Sequence, residues 1–139
     1  MKRLSQKDAE DLGIRTAHHE MDNGELRFRL LSERGSSYIL TQSMTVCGWQ
    51  NAHVHRLKDE FYLVEEGVVL VARLIDNELK LDKLCKMDTM HIPPNIPHNV
   101  LISDNAVLHA LKFGAQEEDW TPCPELDRML LNVDISSHR

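Results

Sequence analysis

The residues best suited to chemistry in this sequence are the histidines and acids of HVHRLKDEFYLVEEG, residues 53–67. Successive side chains of a β-strand point to opposite faces, so His53 and His55 would project to the same side of a strand. Glu60 follows after RLKD, a polar stretch that can turn the chain. We expect a hairpin to bring its carboxylate opposite the two imidazoles. The alternative is a solvated charged loop that binds nothing.

A second segment, MDTMHIPPNIPHNV at residues 87–100, contains a further histidine. Its prolines cannot donate hydrogen bonds within a central strand, so the chain should bend rigidly before it reaches His98. Asn95 lies between the prolines and is one of the few residue types that tolerate a positive φ. The segment therefore predicts a tight turn that leads into His98.

Together the two segments resemble the paired motifs of the cupin superfamily, over roughly residues 48–113. HVHRLKDEFYLVEEG has that family's H-x-H, its four-residue gap, its glutamate and its closing glycine, and MDTMHIPPNIPH is similar to the second motif. Met87 and Asn95 stand where the family usually has glycines. The resemblance implies a mononuclear metal centre in a small single-domain protein, with four ligands: His53, His55, Glu60 and His98.

The ligand set that the resemblance implies suits one divalent transition metal. Three neutral imidazoles and a carboxylate fit iron, manganese, nickel, cobalt, copper or zinc, whereas calcium prefers oxygen ligands. An octahedral ion would keep two open positions for water, a chelating substrate or dioxygen.

Several functions are compatible with such a site, because fold and ligands do not identify a reaction. The resemblance favours a metal-dependent enzyme, of dioxygenase type or isomerase type, that acts on a small organic substrate inside the barrel. The alternatives are a non-catalytic small-ligand or sugar-binding protein supported by the metal, and a purely structural barrel without metal.

Two further residues are candidates for catalysis. Tyr62 shares the strand face of Glu60 and would present its hydroxyl to a bound ligand; otherwise it is a packed aromatic residue. His109 would be an acid–base group if its strand face lines the barrel, and a hydrogen-bonded core histidine if it does not. His91 is out of phase with its neighbours, and we expect it to be exposed.

The basic residues bear on the kind of substrate. A sugar phosphate would require inward Lys or Arg side chains, and no such cluster is identified. Four basic residues alternate with apolar ones and are predicted to face outward: Arg73, Lys80, Lys83 and Lys112. We therefore expect a largely apolar cavity, which favours an oxygenase over a sugar-phosphate isomerase.

A β-fold must position these side chains. From about Glu25 to Gly114 the sequence has alternating or β-branched runs, separated by turn formers such as Asp76-Asn77. The runs are residues 26–30, 36–46, 60–64, 68–75, 78–84 and 106–113. This pattern predicts an all-β, antiparallel barrel or sandwich, and the resemblance specifies a single cupin-type double-stranded β-helix, or jelly roll.

Short helices are predicted at both ends of the chain. Ser5 can cap a helix that ends at Gly13. Near the C-terminus, Pro124 suits a first helical turn, and one apolar face should pack on the barrel: Leu126, Met129 and Leu130. We expect an N-terminal helix and arm, the barrel, and a C-terminal tail with a short helix: residues 1–24, 25–114 and 115–139.

Composition argues against several partners. The net charge is −6 over 139 residues and the basic residues are scattered, so nucleic acid is not expected. The first residues lack the apolar core of a secretion signal, and no stretch is apolar enough to span a bilayer, so we expect no membrane partner and a cytoplasmic location. A small-molecule substrate or ligand is the expected partner, and exposed barrel edges predict a homodimer.

Overall fold

The computed structural model describes residues 5–11, 14–21, 24–43, 48–117 and 119–136. Within these ranges no helix is long and apolar enough to cross a membrane. The elements, in chain order, are α1 (Gln6–Asp11), β1 (Ile14–Glu20), β2 (Leu26–Ser32), β3 (Ser37–Gln42), β4 (His53–Val54), β5 (Asp59–Glu66), β6 (Val69–Ile75), β7 (Glu78–Leu84), β8 (Thr89–Ile92), β9 (His98–Ile102), β10 (Val107–Phe113), β11 (Thr121–Pro122) and α2 (Pro124–Leu130).

The strands form two antiparallel sheets that face each other. The six-stranded sheet has the order β1-β2-β3-β10-β5-β8, and the five-stranded sheet has the order β11-β4-β9-β6-β7. Strands that follow one another in the chain often lie in different sheets, as in a jelly roll. The predicted all-β, antiparallel barrel with short helices near both ends is therefore confirmed.

The hairpin predicted for residues 53–66 is wrong. The two-residue strand β4 pairs with β9 and β11, whereas the eight-residue strand β5 pairs with β8 and β10 in the other sheet. A hairpin with so short a partner would leave most of β5 without strand hydrogen bonds, and β8 and β10 provide them on both of its edges. RLKD therefore connects the two sheets, and β4 and β5 lie on opposite sides of the interior.

The N-terminal arm contains a strand that was not predicted. β1 pairs with β2 along its whole length, from Ile14 opposite Ser32 to Glu20 opposite Leu26. Its sequence, IRTAHHE, lacks a regular alternation of apolar and polar residues. The helix before it begins as expected, because the Ser5 hydroxyl accepts a hydrogen bond from the amide of Asp8 at 3.1 Å. The predicted helix end at Gly13 lies outside the described residues.

The main core lies between the two sheets. Buried aliphatic and aromatic side chains meet there, among them Tyr62, Val64, Val71, Val100, Ile102 and Leu108. A second cluster covers the outer face of the five-stranded sheet, where Leu126 and Leu130 of α2 pack near Leu74, as the apolar face of that helix predicted. The outer face of the six-stranded sheet instead exposes large apolar residues: Leu26, Leu30, Phe61, Leu111 and Phe113.

Left-handed residues shape the turns around the interior. Asp76 and Asn77, at φ 52° and 62°, form the turn between β6 and β7. Asn95 has φ 71°, as predicted, and its amide donates to the carbonyl of His55 at 2.7 Å. Met87 also has φ 71°, and it is 66% exposed. Both residues thus adopt the backbone conformation that glycine favours.

Gly67, which closes the first motif, is required for close packing as well as for its φ of 78°. An added Cβ would lie 2.7 Å from the Cβ of Ala106, whereas at Gly24, with φ 84°, it would meet nothing within 4 Å. We expect Gly67→Ala to lower the free energy of unfolding by about 3 kcal/mol and Gly24→Ala by about 1 kcal/mol. Urea unfolding measures both values, and equal losses would contradict the packing at Gly67.

Candidate metal centre

Four side chains from both sheets converge in the interior: His53, His55, Glu60 and His98. Their ligand atoms all lie within 4.8 Å of one another. His53 on β4 is paired directly with His98 on β9, and Glu60 reaches them from β5 in the opposite sheet. The structure therefore brings together all four residues that the resemblance implied, by packing two sheets face to face.

One carboxylate oxygen of Glu60 is the common neighbour of the three imidazoles. Its Oε2 lies 2.9 Å from the Nε2 of His98, 3.2 Å from that of His55 and 4.0 Å from that of His53. An octahedral ion with bonds of about 2.1 Å holds adjacent ligands about 3.0 Å apart and opposite ligands about 4.2 Å apart. The spacing of these donor atoms is that of ligands around a single ion.

A hydrogen bond from Nδ1 to a backbone carbonyl orients each imidazole. The Nδ1 atoms of His53 and His98 each donate to the backbone carbonyl two residues earlier, at 2.9 and 2.8 Å. The Nδ1 of His55 donates to the backbone carbonyl of Asp119. Since a carbonyl can only accept, Nδ1 carries the proton in each ring, and Nε2 points to the common centre.

Two of these Nε2 atoms provide a test of whether the site fits a metal. The Nε2 atoms of His53 and His55 are buried and have no hydrogen-bond partner of acceptable geometry. A buried polar atom without a partner costs free energy, and such atoms are rare in folded proteins. A metal ion would accept both lone pairs, so the residues present fit a divalent transition ion.

The protonation states also suit a cation. Burial, followed by the charge of His98, lowers the pKa of His53 to about 4, so this ring is neutral at pH 7. Burial would raise the pKa of Glu60, but the imidazoles of His55 and His98 and the charge of Lys112 lower it well below its usual value. The centre thus contains an ionised carboxylate and a neutral imidazole, the forms that bind metals.

Asp119, in the tail after the barrel, positions the loop between the ligands. Its carboxylate accepts hydrogen bonds from the amides of Arg56, Leu57 and Lys58, at 2.8, 2.6 and 2.9 Å. Desolvation would raise the pKa of Asp119, but these backbone hydrogen bonds outweigh it and lower the pKa. The same residue orients His55 through its carbonyl. Sequence analysis missed Asp119, because nothing in GAQEEDW distinguishes this acid from its neighbours.

The centre opens into a cavity of about 430 Å³, lined by His53 and Glu60 among others. Tyr62 also lines it and is 3% exposed, next to Glu60. Burial, the charge of Glu60 and a hydrogen bond with that carboxylate raise the pKa of Tyr62 well above 10. Its hydroxyl is therefore protonated at neutral pH. Trp120, also on the wall, stacks on His53 with ring centroids 5.5 Å apart.

The cavity has a cationic wall, contrary to expectation. Lys112 was predicted to face outward, and this is wrong, because it lines the cavity together with Arg27 and Arg29. Apolar residues of β2 lie on the outside instead, with Leu26 and Leu30 41% and 38% exposed. Alternation identifies the residues that share a face of a strand, but it does not identify the face that is buried.

His109 lies on the outer face of the six-stranded sheet, away from the cavity. Its neighbours Leu108 and Ala110 line the cavity, so its own side chain points the other way. There its Nδ1 lies 2.5 Å from the Tyr38 hydroxyl and its Nε2 lies 3.2 Å from a Glu65 carboxylate oxygen. The side chain is hydrogen-bonded, as the alternative prediction had it, but it lies on the outer face of the sheet and not in the core.

His91 lies outside the cavity as well. Its side chain is 44% exposed, and its Nε2 is 2.6 Å from a carboxylate oxygen of Asp59. The ring also stacks on Phe61, with centroids 5.0 Å apart. This is the exposed position that its strand phase predicted.

Comparisons with known proteins identify the fold only. No protein-family profile and no curated protein sequence matches the chain. Oxalate decarboxylase from Bacillus subtilis aligns with a TM-score of 0.64 at 12% identity, over 89% of this chain and 37% of that chain. KdgF from Halomonas sp. aligns with a TM-score of 0.58 at 14% identity, over 74% of this chain and 88% of that chain.

A third solved structure is hydroxypropylphosphonic acid epoxidase from S. wedmorenis, with a TM-score of 0.56 at 16% identity, over 70% of this chain and 55% of that chain. An iron(II) form of this enzyme gives the same TM-score. This chain thus spans only about a third of oxalate decarboxylase and about half of the epoxidase. The three proteins and this chain share one fold.

We expect Asp119→Asn to weaken metal binding by at least about tenfold, because it disrupts the hydrogen bonds that orient the loop between His55 and Glu60. Glu117→Gln is the matched control, since it removes an exposed carboxylate from the same segment. Competition with a chromophoric chelator measures the affinity for Co²⁺. Equal affinities in both variants would contradict the positioning role of Asp119.

Proposed function

Because this chain has the cupin fold, we propose that it is a divalent-metal-dependent enzyme acting on a small organic substrate inside the barrel. One observation carries the proposal: two buried Nε2 atoms without hydrogen-bond partners face an ionised carboxylate at the edge of a cavity. A site built only for packing would not bury these atoms, because apolar residues would fill the space at lower cost.

The proposed metal is bound by His53, His55, Glu60 and His98. Bound there, it would supply Lewis-acid or redox chemistry at positions that the protein leaves open. Iron, manganese, nickel, cobalt, copper and zinc all suit this donor set. The iron(II) form of the epoxidase that shares the fold supports iron as the first ion to test. The cavity volume of about 430 Å³ suits a small molecule.

Tyr62 is the proposed proton donor of this enzyme. Its hydroxyl is buried beside Glu60 and stays protonated at neutral pH, so it can donate a hydrogen bond to a substrate oxygen, and a proton to a strongly basic one such as an alkoxide or enolate. His109 is not part of the proposal, because its side chain points away from the cavity. Both a dioxygenase-type and an isomerase-type reaction could use such a donor, and assays must distinguish them.

A non-catalytic binding protein is the second candidate. Thr41, Gln50 and Asn51 line the cavity and could hydrogen-bond the hydroxyl groups of a sugar or similar ligand. In that case the metal would support ligand binding without turnover. The homodimer and the cytoplasmic location expected from the sequence stay predictions.

The metal centre is tested by elemental analysis of protein purified without an affinity tag. We expect about one transition ion per chain in the wild type, and loss of most of it in His55→Ala and His98→Ala. His91→Ala is the matched control, because this exposed histidine pairs with Asp59 outside the cavity. A wild-type metal content in all three variants would contradict the four-ligand hypothesis.

Turnover separates an enzyme from a binding protein. With the metal restored, oxygen consumption and carbonyl isomerisation are measured over a panel of small organic acids and sugars. We expect Tyr62→Phe, reloaded to one metal ion per chain, to lower kcat about 100-fold, because it removes the proton donor. Tyr38→Phe, on the outer face of the sheet, is the control. Ligand binding without turnover across the panel would favour the binding protein.

A further inference from the structure

We propose that the substrate is a small organic anion, whose carboxylate or phosphoryl group binds to Arg29 and Lys112 on the cavity wall. The inference rests on the proposed function, since it specifies the class of substrate for the same site. It starts from the inward position of these two cations, which for Lys112 is the reverse of the orientation predicted from strand alternation.

Arg29 and Lys112 come from strands that flank β3. Arg29 on β2 is paired with Ile39 of β3, and Lys112 on β10 is paired with Ser37 of the same strand. Strands are about 4.8 Å apart, and Ile39 and Ser37 are two residues apart along β3, so the two backbones lie about 12 Å apart, within the joint reach of two long side chains. Both residues also line a neighbouring cavity of about 440 Å³. One anion between them could therefore contact both.

Among the described residues, no ion pair joins Arg29 or Lys112 to a carboxylate. Lys112 nevertheless lies opposite Glu60 on the neighbouring strand, and its charge lowers the pKa of that carboxylate. Arg27, by contrast, pairs with Glu25 at 3.1 Å. The contact found for Arg29 is the Nδ1 of His19 at 2.6 Å. Partly buried cations without a counter-ion are costly, and a bound anion would supply that counter-ion.

The pKa of Arg29 reflects its surroundings. Burial and, after it, the charge of Arg27 lower the pKa of its guanidinium. The guanidinium nonetheless stays charged, since its ordinary pKa is far above 7. An anion beside Arg29 would reverse the effect of the neighbouring charge and strengthen the binding of both partners.

The rest of the cavity strengthens this preference. Glu60 is the one carboxylate among the described residues that line it, and a divalent ion would more than neutralise that charge. Arg29 and Lys112 then add further positive charge to the wall, and no ion pair joins them to Glu33 or Asp119, the carboxylates that line the neighbouring cavity. A concave cationic site attracts small anions, and a guanidinium can bind a carboxylate or phosphoryl group through two parallel hydrogen bonds. A neutral sugar would leave both cations unpaired.

Calorimetry with matched ligands tests the proposal. Lactate is compared with propane-1,2-diol, and glycerol phosphate with glycerol, on Co²⁺-loaded and on metal-free protein. In at least one pair we expect the anion to bind at least about tenfold more tightly than its neutral counterpart, in both forms of the protein. The pair with the larger ratio identifies the preferred group. Equal binding within both pairs would overturn the proposal.

Variants distinguish anion binding by the cationic wall from anion binding by the metal. Arg29→Gln and Lys112→Met should each lose most of the preference for the anion, while Lys80→Met, a lysine outside the cavity, should keep it. Thermal unfolding identifies the variants that fold, and Lys112→Met decides alone if Arg29→Gln does not fold. A full preference retained in the folded variants means that the anion binds elsewhere, for example to the metal alone, and would overturn the role of these residues.

The two proposals fail in different ways. Absence of Co²⁺ binding would overturn the proposed function, and the metal-free titrations would still measure the anion preference. Stoichiometric Co²⁺ together with equal affinity for anions and neutral ligands would overturn only the inference about the substrate.

Discussion

The site depends on the contact of Glu60, on β5, with three imidazoles from the opposite side of the interior: His53 on β4, His55 just after it and His98 on β9. The Oε2 of Glu60 lies 2.9 to 4.0 Å from their Nε2 atoms, between the apolar core and the cavity with its cationic wall. Burial of so many polar atoms opposes folding unless a cation or hydrogen bonds satisfy them. Backbone carbonyls satisfy the Nδ1 atoms, and the orphaned Nε2 atoms of His53 and His55 remain for a metal.

The cationic wall borders the same interior and adds to its charge. A centre with one carboxylate and a divalent ion has a positive charge, and Arg29 and Lys112 add to it. Like charges so placed repel one another. A substrate with negative charge would relieve this repulsion while it contacts the metal and Tyr62. The candidate metal site, the proposed proton donor and the cationic wall thus form one electrostatic arrangement.

Sequence reasoning identified the four candidate ligands because their spacing resembles that of two short motifs. It could not assign the strands to sheets: β4 and β5 are neighbours in the chain but pair with distant strands, and a local turn signal such as RLKD does not reveal that. Alternation in β2 and β10 was visible, but the buried face depends on tertiary packing. Asp119 lies 62 residues from the amide of Leu57 that it binds, so only the fold shows its role.

X-ray absorption spectroscopy of the iron(II)- or Co²⁺-loaded protein tests the central claim most directly, since it reports the atoms bound to the ion. A single ion held by His53, His55, Glu60 and His98 should show three imidazole nitrogens and at least one oxygen at about 2.1 Å, with fewer imidazoles in His98→Ala. A spectrum with only oxygen ligands, unchanged in His98→Ala, would contradict the account, because the ion would then be bound outside the buried quartet.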